Sequence, residues 1–494
     1  MPSLETDNEQ DDIATRTLQG SIYTITAAII TLILGLIRLV LLLKFLQPDQ
    51  FGVVTQALLI VNFTTLFSLP GLDKALIQRQ SISKKGVLPT YFTLRLGLVL
   101  IVLSLLLVLT PIISRFYSDF PLLAVILTAV LFIDVIKALN SVQETILSRQ
   151  LSFRNIAIAN VVSGFVMTIV APTLAWQGWG AWSLVAESGV GQLTRFLIFW
   201  LLARAWTPRF GWDREIARWF YAFSIKIWGG ISLNFILDRF DDFWIGYALG
   251  KTPLGIYSQA YAFARYPRRI IAAPILAIFF PTFAQLRTDR KRLSIAFSRS
   301  TSLMIRAGFL FSLLFILTAS EFVTLLGSKW EPMLIILQLM IVYTLLDPLA
   351  AGANSLLVAI GKPEIVLQIR SVQLLIFIPA VILLGWWQGI AGVAIAANVM
   401  VFIGMVISFR YASRFVDFSV KQLWLWPSVA VTLTITAVFL LTPLWATVNI
   451  WLIILAKLLV ISTLYLGCLW LSEKEQLKAD WQLIWHKLRS ISTK

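Results

Sequence analysis

The sequence is short of the residues on which metal sites, disulfides and many catalytic mechanisms depend. Cys468 is the only cysteine and His486 the only histidine among 494 residues. One cysteine cannot form an intrachain disulfide, and one histidine in a polar segment does not form a cluster of metal ligands. A Gly-rich ATP-binding loop is also missing. We therefore expect no metal, no cofactor and no catalytic residue.

Charge is scarce as well. Charged residues form 13% of the chain and hydrophobic residues 58%, and the mean hydropathy is +0.83. A water-soluble domain could not bury this much apolar surface, so the composition predicts a polytopic membrane protein. The net charge of +16 would indicate a nucleic-acid partner in a soluble protein. In a membrane protein it indicates Lys and Arg retained on the cytoplasmic side.

Long apolar runs are abundant. A helix crosses a bilayer with about 20 apolar residues, and about fourteen runs of that length occur. They lie at about 20–46, 52–77, 91–113, 121–147, 155–176, 180–203, 221–249, 255–284, 300–325, 333–360, 366–385, 388–409, 427–443 and 450–471. The predicted fold is therefore an all-α polytopic membrane protein.

Basic residues alternate between the connections of these spans. One set of connections is rich in them, for example at Arg149 with Arg154. The other set holds about one apiece or none, namely Lys44, Arg115, Lys251 and Lys329. Because Lys and Arg are retained on the cytoplasmic side, the alternation predicts that both termini are cytoplasmic. It also accounts for the basic surplus without nucleic acid.

The two halves of the chain resemble each other. The segment from Leu46 through Gly52 to Ala57 matches the segment from Leu249 through Gly255 to Ala260 without a gap. Two shorter matches follow in the same order: Asn140-Ser141 with Asn354-Ser355, and Gln177-Gly178 with Gln388-Gly389. We expect two six-helix bundles related by a pseudo-two-fold axis along the membrane normal, with a substrate site between them and alternating access by rocking.

These patterns predict the following division of the chain. We expect a cytoplasmic N-terminal tail at 1–19, an N-lobe of six spans at 20–203, a cytoplasmic linker at 204–220, a C-lobe of six spans at 221–410, two further C-terminal helices at 427–471 and a cytoplasmic tail at 472–494. The later part of the linker is amphipathic enough to lie on the membrane surface.

The stretch 234–286 carries charges inside apolar runs. Four of them, Asp238, Arg239, Asp241 and Asp242, precede a turn, and three arginines follow it: Arg265, Arg268 and Arg269. Each costs at least about 2.5–3.5 kcal/mol to insert into the centre of a membrane helix. Such charges persist mainly where they face a water-filled cavity or a partner helix. We expect this stretch to border a polar path through the bilayer.

At this point the chain resembles the polysaccharide transporter family, the Wzx-type lipid-linked oligosaccharide flippases of the multidrug/oligosaccharidyl-lipid/polysaccharide exporter superfamily. The resemblance covers about residues 15–420. It is carried by an ordered set of motifs: Gly35-Leu-Ile-Arg38, Pro48-Asp-Gln-Phe-Gly52, Gly71-Leu72, Ser148-Arg149, Asp238-Arg239, Leu254-Gly255-Ile-Tyr257 and Phe280-Pro281. It implies a flippase of the bacterial inner membrane, acting in surface polysaccharide biosynthesis, with a lipid-linked oligosaccharide as its partner and polymerase or assembly proteins as further partners.

That implied substrate carries a phosphate or pyrophosphate, which arginine binds with charge-assisted hydrogen bonds. Arg38 is the first candidate, because it lies midway along the first span without an acidic residue one turn away. Snorkelling to the outer interface is the alternative. Some members of the wider superfamily carry Arg-Asp in the first span, whereas Leu39 follows Arg38 in this chain, so the resemblance extends to the arginine only. With Arg38, the arginines at 265, 268 and 269 would clamp a phosphate across the lobes.

Each remaining candidate also has a structural interpretation. The aspartates at 238, 241 and 242 share a helix face, and Arg239 is placed to pair with Asp242, so the group either lines a cavity or neutralises itself. The three later arginines either bind phosphate or pair with that group. For Asp134 and Lys137, three residues apart, pairing is favoured over a role in transport. Glu187 with Arg195 on the sixth span is a further expected pair, and Arg306 is expected to snorkel.

Three functions compete at this stage. The leading hypothesis is export of a lipid-linked oligosaccharide. The second is a cation-coupled multidrug or small-molecule exporter on the same architecture, which the basic bias of the intramembrane charges disfavours. The third is a membrane polysaccharide polymerase or ligase. Such enzymes have a long polar outer loop, whereas every predicted outer connection here is short.

Overall fold

The computed structural model describes residues 3–68, 71–79, 86–117, 119–445 and 449–492. The side chains of residues 3–19, 21–22, 444 and 475–492, which include most of the two predicted tails, lie outside this description. Every regular element within these ranges is helical, as the apolar runs predicted.

The chain divides into two compact units. Unit 1 contains the chain up to Phe235 together with Gly246–Gly255, and unit 2 contains Ile236–Ile245 and the chain from Ile256 onward. The helices of unit 1 are α1 (Ser3–Phe45), α2 (Pro48–Thr65), α3 (Leu72–Gln78), α4 (Val87–Phe116), α5 (Leu123–Arg149), α6 (Phe153–Trp176), α7 (Ala181–Leu197) and most of α8 (Arg214–Ala248). Those of unit 2 are most of α9 (Lys251–Ala264), α10 (Ala273–Gln285), α11 (Arg290–Leu326), α12 (Met333–Leu339), α13 (Ile341–Ala359), α14 (Pro363–Ala412), α15 (Val420–Leu441) and α16 (Ile450–Ser492).

The predicted spans have helical counterparts. In the described ranges, 12 helical segments are long and apolar enough to cross a membrane. One of them, α14, has 50 residues and a non-helical break at Gly389, so it holds two predicted spans. The predicted span at 180–203 corresponds to α7 and the π-helical turn Ile198–Ala203 that continues it.

The connection between the sixth and seventh spans is held against unit 1. The backbone N–H of Asp213 donates to Thr90 Oγ1 at 3.0 Å, and Gln143 Nε2 donates to the carbonyl of Trp206 at 2.6 Å. Helix α8 begins at Arg214, and its residues Ile216 and Phe220 are buried in an apolar cluster of unit 1. The predicted surface-lying segment is therefore the first turns of a long, packed helix.

The last two helices pack on α11 in unit 2. Arg306 on α11 pairs with Glu473 on α16 at 2.7 Å, and both side chains are only 6% exposed. Fifteen residues further along α11, Glu321 pairs with Lys457 at 2.6 Å. Tyr465 lies between the two pairs and donates its hydroxyl to the carbonyl of Arg306. The expectation that Arg306 snorkels was wrong, because its side chain is buried and pairs with Glu473. The sequence did not reveal this partner, since Glu473 lies far along the chain and only helix packing brings it close.

The glycine turns of the two halves have the same backbone conformation. Gly389 has φ 60° and ψ −140°, and Gly180 has φ 56° and ψ −133°, a region that only glycine adopts at low cost. The sequence match placed Gly178 opposite Gly389. By conformation the equivalent residue is Gly180, two positions later, because the first half has one more turn before the helix resumes.

The matched asparagines also act alike within their own units. Asn140 on α5 donates to the carbonyl of Gln192 on α7 at 2.8 Å. Asn354 on α13 accepts a hydrogen bond from Ser408, in the second part of α14, at 2.9 Å. Each asparagine therefore ties the fourth span of its unit to the sixth. This shared contact gives a physical reason for a polar pair recurring inside apolar runs.

The strongest sequence match marks a close approach of two backbones within unit 1. A Cβ on Gly52 would collide with the carbonyl oxygen of Lys251, and a Cβ on Gly255 would collide with that of Pro48. Beside them Lys251 pairs with Asp49 at 3.4 Å. The starts of α2 and α9 therefore cross where each contributes a glycine, which explains why both glycines occur at the same position of the repeat.

Candidate functional site

Unit 1 contains a polar cavity among its membrane-spanning helices. Its volume is about 570 Å³, and helices α1, α2, α5, α6 and α7 line it. The charged lining residues are Arg38, Asp134, Lys137 and Arg195. The lining amides are Asn62, Asn160 and Gln192. Three of the residues singled out from the sequence, on α1 and α5, thus lie around one space.

Arg38 is held in this cavity by an acid from another helix. Its Nε lies 2.8 Å from Glu187 Oε1 on α7, and the two side chains are 17% and 20% exposed. Arg38 therefore has an acidic partner, although no acidic residue lies one turn away from it on α1. The sequence paired Glu187 with Arg195 instead. That pairing was wrong, because Glu187 is bound to Arg38.

The two other basic residues of the cavity are paired as well. Lys137 Nζ lies 3.0 Å from Asp134 Oδ1 on the same helix, which is the pair that the three-residue spacing predicted. Arg195 lies 3.9 Å from Glu144 and donates to the side-chain oxygen of Asn160. The Lys137 side chain is 51% exposed, against 9% for Asp134, so its ammonium group faces the open space.

The geometry gives the cavity a basic, hydrogen-bonding inner surface. Arg38, Lys137 and Arg195 line it together with a single acid, Asp134. The acids that pair with the two arginines, Glu187 and Glu144, are not among the lining residues. Guanidinium and ammonium groups bind phosphate oxygens, while the amides of Asn62 and Gln192 can donate to and accept from hydroxyl groups. The cavity suits an anionic, hydroxyl-rich solute.

In unit 2, the acidic residues predicted at the end of α8 form a buried network. Asp241 is fully buried and accepts a hydrogen bond from the hydroxyl of Tyr257 at 2.7 Å. Asp242 is 1% exposed and pairs with Arg239 at 3.1 Å. The pairing is the one that the spacing predicted. Of the two interpretations of these residues, the contacts favour the self-neutralising structural group.

Two of the three arginines that follow are paired with acids, and the third is exposed. Arg265 lies 3.4 Å from Asp238, whose side chain is 42% exposed, and Arg268 lies 3.2 Å from Asp347 on α13. Arg268 and Arg269 belong to a π-helical turn, Arg268–Ala272, directly after Pro267. Arg269 is exposed. The unit that contains these arginines is not the unit that contains Arg38.

Several residues of these sites were missed by the sequence reading. Asp347 is 8% exposed and anchors Arg268, yet it was passed over within an apolar span. Asn62, Asn160 and Gln192 line the cavity of unit 1 and were not selected either. The available signal was a polar residue inside a span, the same signal that identified Asp134. Amides were given less weight because they carry no charge.

Comparisons with known proteins agree with this fold. The profile of a family described as "Polysaccharide biosynthesis protein" matches residues 41–335, which is more than half of the chain. The chain is 28% identical over 292 residues to the succinoglycan biosynthesis transport protein ExoT of Rhizobium meliloti (strain 1021), a match covering 59% of this chain and 58% of that protein. It is 25% identical over 403 residues to the lipopolysaccharide biosynthesis protein WzxC of Escherichia coli (strain K12), covering 80% of each.

Solved structures show the same architecture. The inward closed conformation of the lipid II flippase MurJ has a TM-score of 0.72 and 15% identity, covering 93% of this chain and 99% of that one. An inward-facing multidrug resistance MATE family transporter of the MOP superfamily has a TM-score of 0.64 and 15% identity, covering 78% and 98%. At such identities the likeness concerns the fold alone, which is that of a helical multi-pass membrane protein.

Proposed function

Since this chain belongs to the polysaccharide biosynthesis protein family, we propose that it is a flippase that moves a lipid-linked oligosaccharide across the bacterial inner membrane by alternating access. The names of the relatives, which refer to succinoglycan transport and lipopolysaccharide biosynthesis, support a surface polysaccharide as the end product. The basic connections support an orientation with both termini in the cytoplasm. Assembly proteins that use the translocated lipid are expected partners.

The observation that carries this proposal is the basic cavity inside an apolar bundle. Charges and amides at that depth are costly unless they are hydrated or bound to a polar solute. Arg38 and Lys137 supply cations for a phosphate group, and the amides of Asn62 and Gln192 supply hydrogen bonds for sugar hydroxyls. A small cation exporter is disfavoured, because the acids at the cavity, Asp134, Glu187 and Glu144, are each already paired with a basic side chain.

In this mechanism Arg38 exchanges Glu187 for the substrate phosphate. The carboxylate of Glu187 holds the guanidinium in place and balances its charge until a phosphate oxygen replaces it. We propose Arg265, Arg268 and Arg269 as further phosphate contacts, with Arg269 the most accessible of the three. Asp238, Arg239, Asp241 and Asp242 would then keep these arginines oriented. No covalent bond is made or broken, so the proposal assigns no catalytic residue.

The test is transbilayer movement of a fluorescent polyprenyl-pyrophosphate oligosaccharide in proteoliposomes. We expect the intact protein to accelerate the movement, Arg38→Ala to abolish most of that acceleration, and Glu187→Gln to retain it, because the arginine is still present. Arg292→Ala serves as a control, because that side chain is 75% exposed at the start of α11 and pairs with nearby Asp289.

Two results would contradict the proposal. Equal loss in Arg38→Ala and Glu187→Gln would show that the ion pair has a structural role and that Arg38 does not bind substrate. No acceleration by the intact protein with several glycans, together with uptake of a small cation under an ion gradient, would instead establish an exporter.

A further inference from the structure

A second cavity is formed by residues of unit 2. It has a volume of about 990 Å³ and lies where α11 and α15 begin and where α16 bends at Glu473. Its polar lining includes Ser294, Ser298, Ser419, Lys421, Gln422 and Lys474. The basic connections predict that this end of unit 2 faces the cytoplasm, and with that topology the cavity lies at headgroup depth.

The acids that line this cavity are already bound to other residues. Asp417 is held by Arg290 at 2.7 Å, and this guanidinium keeps the pKa of the Asp417 carboxyl below its usual range. Glu473 is held by Arg306 at 2.7 Å. The basic side chains that line the cavity are Lys421 and Lys474, which are exposed, and Arg299, which is half-buried. Together with the serine hydroxyls, the lysines favour an anionic group such as a phosphate.

An apolar groove continues from the cavity along α15. It has a volume of about 530 Å³, shares Lys421 and Leu425 with the cavity, and extends to Leu433. Its residues recur every three or four positions, so they form one face of the helix. From Val420 to Leu433 this face is about 20 Å long at 1.5 Å per residue. A groove of this length accommodates an extended acyl chain.

The joined cavity and groove have the polarity of a lipid, with a basic end at headgroup depth and an apolar face that extends into the bilayer. We propose that they form a binding site for an anionic diacyl phospholipid, with the phosphate at Lys421 and Lys474 and one acyl chain along α15. The bilayer supplies such lipids at this depth. The site is separate from Arg38 and does not depend on the proposed transport function.

The test measures lipid binding to the full-length protein by native mass spectrometry. Phosphatidylglycerol is compared with phosphatidylcholine of the same chains, which shares the phosphate but has no net charge. We expect Lys421→Gln/Lys474→Gln to weaken phosphatidylglycerol binding roughly tenfold, because each lysine near a lipid headgroup contributes appreciably, and to leave phosphatidylcholine unchanged. Ser428→Trp, which fills the groove, should weaken the binding of both lipids.

The matched control is Lys291→Gln, because Lys291 is an exposed lysine at the same end of α11 and does not line the cavity. Equal binding of the two phospholipids would overturn the proposal, and so would an equal loss in the control. Displacement by soluble glycerol phosphate as effective as displacement by phosphatidylglycerol would mark an anion site instead. Stronger, Lys421-dependent binding of polyprenyl phosphate would assign the groove to the transported lipid. All variants change exposed side chains, and gel filtration checks their folding.

Discussion

The two units use intramembrane charge in different ways. In unit 1 the cations line an open cavity, and the Lys137 side chain is 51% exposed while Arg38 retains 17%. In unit 2 the most buried charges have no such access, since Asp241 is 0% exposed and the Arg306–Glu473 pair is 6% exposed on both sides. The cavity charges of unit 1 thus retain access to open space, whereas the most buried charges of unit 2 are packed against their partners. Exposure, which sequence position does not give, separates the two groups.

The largest effect is expected from breaking the buried pair of unit 2. Arg306→Ala leaves Glu473 buried without its partner, which should lower the free energy of unfolding by about 3–5 kcal/mol. The double change Arg306→Met/Glu473→Leu removes both charges and should restore most of that loss. Unfolding in mixed micelles, followed by tryptophan fluorescence, measures both variants. A double variant no more stable than the single one would show that the pair itself is needed.

In unit 1, removal of a cavity charge should affect transport more than stability. Lys137→Met is expected to slow substrate movement about tenfold, because one charge-assisted hydrogen bond is lost. Its free energy of unfolding should fall by less than that of Arg306→Ala, because Lys137 is 51% exposed, although Asp134, at 9% exposure, loses its partner. Transport and unfolding assays on the same preparation test both statements. Strong destabilisation would place Lys137 with the structural charges and remove the contrast between the units.

Gly180 in unit 1 and Gly389 in unit 2 allow the two units to be compared by the cost of backbone strain. Gly389→Ala should cost about 2 kcal/mol, because alanine is strained at this positive φ. Gly180→Ala should cost more, since its new Cβ would also lie 2.8 Å from the amide nitrogen of Gln50, whereas nothing lies within 4 Å at Gly389. Unfolding measurements on both variants give the order. A larger loss of stability in Gly389→Ala than in Gly180→Ala would contradict this prediction. It would show that the Gln50 side chain moves aside at no cost.

The smallest effects are expected at the matched asparagines. Asn140→Ala removes two hydrogen bonds to Gln192, at 2.8 and 3.1 Å, and should cost about 1–2 kcal/mol. Asn354→Ala should cost less, because the single hydroxyl proton of Ser408 can still be donated to the carbonyl of Gly404, which lies 2.7 Å away. The same unfolding assay resolves a difference of this size. Equal losses of stability in the two variants would indicate that the hydrogen bonds of Asn140 and Asn354 contribute equally. The alternative acceptor at Gly404 would then not reduce the cost of Asn354→Ala.

Much of the fold could be predicted from the sequence because it depends on local composition. A run of about 20 apolar residues must satisfy its backbone hydrogen bonds internally in lipid, so each such run predicts a helix. The breaks at Gly180 and Gly389 fall close to the predicted boundaries between spans, at 176–180 and 385–388. The pairs Lys137–Asp134 and Arg239–Asp242 followed from three-residue spacing, since such neighbours share a helix face.

The candidate site was only partly predictable. Arg38 and Lys137 were singled out from the sequence as charges inside apolar runs, but the cavity that both of them line is built from five helices. The amides of Asn62 and Gln192 gain importance only because packing points them into the same space. The acids that bind Arg38, Arg268 and Arg306 all lie on helices remote in sequence, so spacing could not reveal them.

The sequence alone determined that this is a helical membrane protein, roughly where its spans lie, and which charges are out of place in an apolar environment. These properties depend on the hydropathy of consecutive residues and on contacts three or four positions apart. Only the tertiary structure decided which charges meet one another, which face a cavity and which are buried. That decision is made by contacts between helices far apart in the chain, where the free energy of a charge depends on its partner and its access to water.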